Sequence, residues 1–212
     1  MKSGGRIISR LVFHFKDGSV QDETTEFTQR EKFQLLSDHL IQKGPSFKVQ
    51  LESSLDARTG QFTARYQDKD GKQKEATKHL DLPPDVYNGL MWTVLKNIDP
   101  DVDGVTVSMV SGEKARLVRL HVRREGEEPF SIGGQGRKAT HLATKVEITG
   151  AAGVVAPLVG KQPPDTQTWI LGGTVPTFLK SEGPFYDGGP IWRVEPTRPV
   201  GPKASGAGGS AN

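Results

Sequence analysis

One stretch, LPPDVYNGLMWTVLKNI from Leu82 to Ile98, reads as a long helix in a chain that otherwise alternates in period two. A single amphipathic helix among roughly ten strand-like segments restricts the fold sharply. It predicts a mainly β protein: a curved antiparallel sheet, a β-roll or open half-barrel, with one long helix at about 83–98. A second, short helix is expected at about 151–159, where Ala151 onward is apolar and Gly160 ends the run.

Pro83 and Pro84 sit where a first turn tolerates missing N–H groups, and Asp85 suits the positive end of the dipole. At 100° per residue Val86, Leu90, Val94, Ile98, Tyr87, Met91 and Leu95 share one half of the wheel. Asp85, Asn88, Gly89, Trp92 and Lys96 share the other, and Pro100 ends the segment. So wide an apolar arc predicts a lid or plug on the sheet. Val86, Leu90 and Val94 are then candidates to line a ligand cavity beneath it. Trp92, on the far side, is either covered by a loop or serves as a pocket wall.

Strands follow from alternation between turn signals. Ile7, Leu11, Phe13 and Phe15 face one way along 6–15, with Arg6, Arg10 and His14 opposite. The turn Lys16–Ser19 leads into 20–28, and 33–42 is broken by Gly44-Pro45. Further strands are expected at 47–55, 61–67, 72–80, 105–109, 118–123, 137–149, 166–171, 176–181 and 190–195. Connections this short make an antiparallel meander.

The 212 residues suit one domain over 1–195, and 34% hydrophobic residues supply a modest core. Residues 196–212, rich in Pro, Gly, Ser and Ala, are expected to be disordered. The formal charge is +3, and that tail holds Arg198 and Lys203, so the body carries only +1. Neither this balance nor any aromatic–basic interleaving points to nucleic acid. Cys is absent, which removes disulfides, thiolate metal sites and a Cys nucleophile. MKSGGRIISR has no apolar leader core, and no run approaches a membrane span, so the chain as written would stay in the cytoplasm. Because the first strand begins almost at Met1, an N-terminal portion is expected to precede it. An exposed first-strand edge would also permit a homodimer.

Few constellations could carry chemistry. Asp99, Asp101 and Asp103, in D-P-D-V-D-G, have the spacing at which a calcium loop presents three carboxylates, although Val110 stands where a bidentate Glu would close it. The alternative is an acidic turn. Ser37-Asp38-His39 holds three triad residue types, but strand neighbours point to opposite faces and cannot form a relay. Asp22 and Glu26 share a strand face and, with His39, are the candidates for acid–base catalysis; the competing reading is a solvated face. Gly133-Gly134-Gln135-Gly136 before Arg137 and Lys138 is a hairpin loop that could also nest an anion. Lys114, Arg116, Arg119, Arg123 and Arg124 form a basic outer face.

The segments LVFHFKDGSVQDETTEFTQR, LSDHLIQKGPSF, HLDLPPDVYNGL, GKQPPDTQTWILGG and PTFLKSEGPFYDGGPIWRVE together resemble an uncharacterised bacterial family of exported β-rich domains of unknown function, over about Arg6 to Glu195. The resemblance implies a β-roll distantly similar to periplasmic lipid-carrier and lipoprotein folds, and a periplasmic or secreted location. It carries no catalytic motif. The chain departs from that pattern by lacking a leader and first strands and by adding the tail. The leading expectation is thus a non-enzymatic envelope domain that holds a lipid or other apolar small molecule between sheet and helix. A small hydrolase acting on a glycan or ester is the rival. A structural or interaction domain with a filled interior is the third reading.

Overall fold

A computed structural model describes residues 5–68, 70–99, 101–132, 135–148, 163–186 and 188–196. The expected short helix at 151–159 and the tail from 197 onward lie outside them, as does the Gly133-Gly134 tip.

The fold is mainly β, with two six-stranded antiparallel open sheets in place of the single curved sheet expected. The first is a meander of β1 (Arg6–His14), β2 (Val20–Gln29), β3 (Phe33–Lys43), β4 (Gln50–Asp56), β5 (Gln61–Gln67) and β6 (Gln73–His79). The second comprises β7 (Gly104–Ser111), β8 (Arg116–Ile132), β9 (Gln135–Ile148), β10 (Thr166–Leu171), β11 (Thr177–Gly183) and β12 (Trp192–Val194), again in sequence order. Among the described residues β1 is the edge strand of the first sheet, with Ile8 exposed.

Turn chemistry sets the meander. Asp17 Oδ1 accepts the Ser19 N–H at 2.9 Å, and Gly18 supplies positive φ between β1 and β2. Gly60, at φ +73°, closes the β4–β5 turn where any Cβ would strike the Leu80 carbonyl. A larger residue there would break the hairpin.

The expected long helix is corrected to a short one. Only a 3-10 turn at Asn88–Leu90 and α1 (Met91–Lys96) are helical. Upstream the chain is extended: Val86 forms a parallel bridge with Ser108, Tyr87 N–H donates to Ser108 O at 3.0 Å, and Ser108 N–H to Asp85 O at 2.9 Å. β7 is an edge strand, and its open backbone groups take up this segment. Pro83 and Pro84 lack N–H donors, and Asn88 has φ +37°, so helical geometry cannot propagate through it. Asn97 ends α1, its Nδ2 donating to Thr93 O at 2.8 Å.

One hydrophobic cluster joins both sheets to this connector. Phe27, Leu35, Leu55 and Phe62 from the first sheet meet Val107, Val118 and Leu120 from the second around Val86, Leu90 and Val94. Leu90 is wholly buried, and removing such a side chain costs about 2–5 kcal/mol. A smaller cluster packs Leu95 against Val122, Leu142 and Ile170.

Candidate functional site

Beside this core lies a cavity of about 480 Å³, adjoining a second of about 350 Å³. Its floor is the inner face of the first sheet. Leu11 of β1 stands opposite Glu23 of β2, which stands opposite Leu40 of β3 and onward to Ser53 of β4. The helical turn forms one wall through Asn88, Gly89, Met91 and Trp92. The segment between β11 and β12 crosses over as a cover: Tyr186 Oη donates to Ser46 O at 2.7 Å, and Lys48 Nζ to Gly188 O at 3.1 Å.

Aromatic rings line the side facing that cover. Phe13 meets Trp92 edge-on at 5.8 Å and Phe185 at 4.7 Å, and Phe185 stacks on Trp192 at 6.2 Å. Trp92 also stacks on Phe178 at 4.6 Å. Such contacts fix ring orientations and make the wall rigid.

The polar end is built by a β-bulge. Phe27 pairs with Leu35, but Glu26 pairs with Ser37, so Leu36 is an extra residue in β3. Leu35 faces inward on one side of the bulge; Asp38, Leu40 and Gln42 face inward on the other. Thr25, Asp38 and Glu23 are thereby gathered beneath the helical turn.

Asp38 is firmly held. Thr25 Oγ1 donates to its Oδ1 at 2.7 Å, Asn88 Nδ2 to its Oδ2 at 3.3 Å, and the Gly89 N–H also donates to it. Asn88 is held in turn by Val110, giving Nδ2 to the carbonyl at 3.1 Å and taking the N–H on Oδ1 at 3.0 Å. Glu23 has no hydrogen-bond partner among the described residues; it is deeply enclosed, and its remaining surface opens on the cavity.

Burial raises both carboxyls. Desolvation, with the Asp38 charge second, pushes Glu23 up to about 8. Asp38 is also raised by desolvation, opposed by Thr25, Gly89 and Asn88 and by the field of His39. Three hydrogen bonds favour the ionised form of Asp38, whereas none from the described residues does so for Glu23. Lys48 and Glu113 complete the charged lining, and Lys48 is exposed at the mouth.

The residues singled out from sequence fall in different places. Trp92 lines both cavities. Val86, Leu90 and Val94 do not: the space beneath them is filled core. Asp22, Glu26 and His39 are on the outer face of the first sheet, turned from the cavity. Asp22 takes two hydrogen bonds from Arg10, at 2.9 and 2.6 Å, Glu26 pairs with Arg6, and His39 Nδ1 hydrogen-bonds Ser54 Oγ at 2.8 Å. In the D-P-D-V-D-G segment Asp99 Oδ1 accepts the Asp101 N–H at 2.9 Å, and among the described residues no group of three or more His, Asp or Glu is placed to hold a metal ion.

Sequence reasoning missed Glu23. A signal existed: Gln21, Glu23 and Thr25 share the period-two face of Phe27, a residue that must go inward. Asp38 had no such signal, because the bulge reverses the face of β3. No protein-family model, no curated protein and no solved structure matches the chain.

Proposed function

We propose that this chain is a non-catalytic binding domain that carries a mainly apolar small molecule, such as a lipid or acyl compound, in the cavity between the first sheet, the helical turn and the β11–β12 cover. The observation that supports this most directly is the cavity of about 480 Å³ beside a filled core, walled by Leu11, Phe13, Leu40, Trp92 and Phe185. A volume in the range of small-molecule sites, mostly apolar with a few convergent polar groups, suits ligand retention. An envelope setting for such a carrier is part of this proposal.

Gentle-condition native mass spectrometry of the purified chain tests this, alongside titration with the neutral dye Nile red. Retained small molecule, or saturable dye uptake lost in Ser53→Trp, is the expected result; Ser53 is an inward residue of the cavity floor. A folded protein that neither retains nor takes up any apolar compound would sink the proposal.

A second reading, hydrolysis of a glycan or ester, draws on the Glu23–Asp38 pair, two carboxyls raised by burial at the polar end of the cavity. Turnover of generic ester or glycoside substrates, abolished by Glu23→Gln, would favour it over simple carriage.

A further inference from the structure

The polar end of the cavity states what kind of head group it takes. Two inward carboxyls, Glu23 and Asp38, are set in an apolar, aromatic-walled space. The charged groups facing them can be named element by element. β1 contributes Leu11 and Phe13; the helical turn contributes Asn88, Gly89 and Trp92; β4 contributes Leu51, Ser53 and Leu55. None of these carries a charge. The β7–β8 turn adds a third carboxylate, Glu113. Among the described residues the one cation lining this cavity is Lys48, whose ammonium is engaged by the Gly188 carbonyl at the mouth, while Lys114 and Arg116 line the adjoining cavity only. His39 acts on Asp38 only from the outer face of the sheet.

Buried carboxyls elsewhere in proteins are paired with cations or kept neutral. Asp38 at least has three hydrogen-bond donors; Glu23 has none among the described residues and opens on the cavity. The same cavity is lined, on the side facing the cover, by Phe13, Trp92, Phe185 and Trp192, whose ring faces attract cations. Aromatic faces combined with uncompensated carboxylates are the chemistry that recognises an ammonium group.

Resting on the carrier reading above, we infer that the ligand is a cationic amphiphile. Its ammonium head, tertiary or quaternary, lies between Glu23, Asp38 and the aromatic wall, and its apolar tail runs past Trp92 into the adjoining cavity of about 350 Å³. Trp92, Met91 and Phe185 line both spaces, so a single elongated molecule meets them continuously. Uptake of the cation ionises Glu23 and releases its proton to solvent; no covalent step is involved.

The test uses the full chain and decyltrimethylammonium, a cation without a titratable proton, below its micelle-forming concentration. Decanol and decyl sulfate serve as neutral and anionic counterparts, with calorimetry as the readout. The ammonium is expected to bind at least about tenfold tighter than decanol, and decyl sulfate weakest. Its affinity should rise by more than about tenfold between about pH 6 and about pH 9, as Glu23 loses its proton. Glu23→Gln should weaken ammonium binding by at least about tenfold and remove most of that pH dependence. If Glu23→Gln fails to fold, as circular dichroism would reveal, the pH series on the unaltered chain decides alone.

Equal affinity for decanol and the ammonium, or ammonium binding indifferent to pH, overturns the cation inference while leaving the apolar carrier reading in place. Failure of all three probes to bind a folded chain sinks both. A further arm, decylphosphocholine, identifies the source. Weaker binding than the simple ammonium supports a free amine ligand, because its phosphate would approach the carboxylates. Equal or tighter binding supports the same ammonium recognition on a lipid head group.

Discussion

Asp22 and Glu23 are adjacent in β2 and differ by one methylene, yet they have opposite electrostatic fates. Asp22 points outward, where the Arg10 guanidinium hydrogen-bonds it and holds its carboxyl below the ordinary value. Glu23 points inward, where no cation among the described residues meets it and burial carries its carboxyl up to about 8. The same contrast runs across β3, with His39 outside on Ser54 and Asp38 inside on Thr25 and Asn88. Strand pleating alone separates the two environments. The lesson is that the outer face is a set of closed ion pairs, whereas the inner face is an open electrostatic question that a ligand can answer.

The largest way to break this contrast is to remove the brace of the inner pair. Asn88→Ala strands the Val110 N–H and carbonyl and deprives Asp38 of a donor. Buried groups left unsatisfied cost about 1–3 kcal/mol each, so urea denaturation should show a loss of roughly 3–4 kcal/mol. Loss below about 1 kcal/mol would mean that solvent reaches these groups and that the inner face is not closed.

Next in size is the pH dependence of Glu23. Its carboxyl titrates near 4.5 when unconstrained and near 8 in the fold. Below 4.5 both states hold the proton. Between those values the unfolded chain has released it and the folded chain has not, so stability falls as pH rises and levels off above about 8. Asp38, also raised, adds in the same direction. Glu23→Gln should therefore gain about 2–3 kcal/mol over the parent at about pH 8.5 relative to the difference at about pH 5, read from urea midpoints. Parallel pH profiles for parent and variant would show that Glu23 is solvated, and the contrast with Asp22 would collapse.

The twelve described strands were legible in place because alternation and turn residues are local properties, although β8 was read only over 118–123 of its Arg116–Ile132. Lys16–Ser19, Asp56–Gly60 and Asp68–Gly71 mark hairpins without reference to the rest of the chain. The helix was overread for a related reason. Val86, Leu90 and Val94 keep one apolar arc, and those residues are indeed buried together. Yet Val86 reaches the core from an extended segment that the edge of β7 captures, a nonlocal pairing without a signature in residues 82–87. That there are two sheets depends on where a meander stops pairing, which is likewise nonlocal. The inner carboxyls were hidden by a different effect. β2 is polar on both faces, VQDETTEFTQ, so only Phe27 betrays its inward side. In β3 the extra Leu36 exchanges the faces of every later residue, and a bulge is not encoded in the hydrophobic pattern.

A finer probe is the space between the helical turn and the pair. Gly89 has an ordinary backbone conformation, but a Cβ there would press on Thr25 Oγ1 and lie 2.8 Å from Glu23 Cδ. Glu23 could swing toward the cavity, whereas the short, β-branched Thr25 is fixed by its bond to Asp38. Gly89→Ala should thus cost about 1–2 kcal/mol in chemical denaturation, an overpacking effect, and weaken ligand uptake more than stability. Unchanged uptake would place the ligand away from this end of the cavity.

The smallest expected effect completes the comparison. In Asp22→Asn the partner Arg10 keeps water on its exposed side, and exposed ion pairs contribute little. Asp22 is held low first by the Arg10 hydrogen bond, so its contribution is present above its ordinary value of 3.8 and lost only as pH falls through its lower folded value. That window does not overlap the interval from 4.5 to about 8 in which Glu23 acts. Asp22→Asn should leave the neutral-pH urea midpoint close to the parent's and the slope between about pH 5 and about pH 8 unaltered, with a difference appearing only in acid. A changed slope in the neutral window would show the two faces to be electrostatically coupled through the sheet. The inner pair would then have a distant counterion after all, and its demand for a cationic ligand would weaken in proportion.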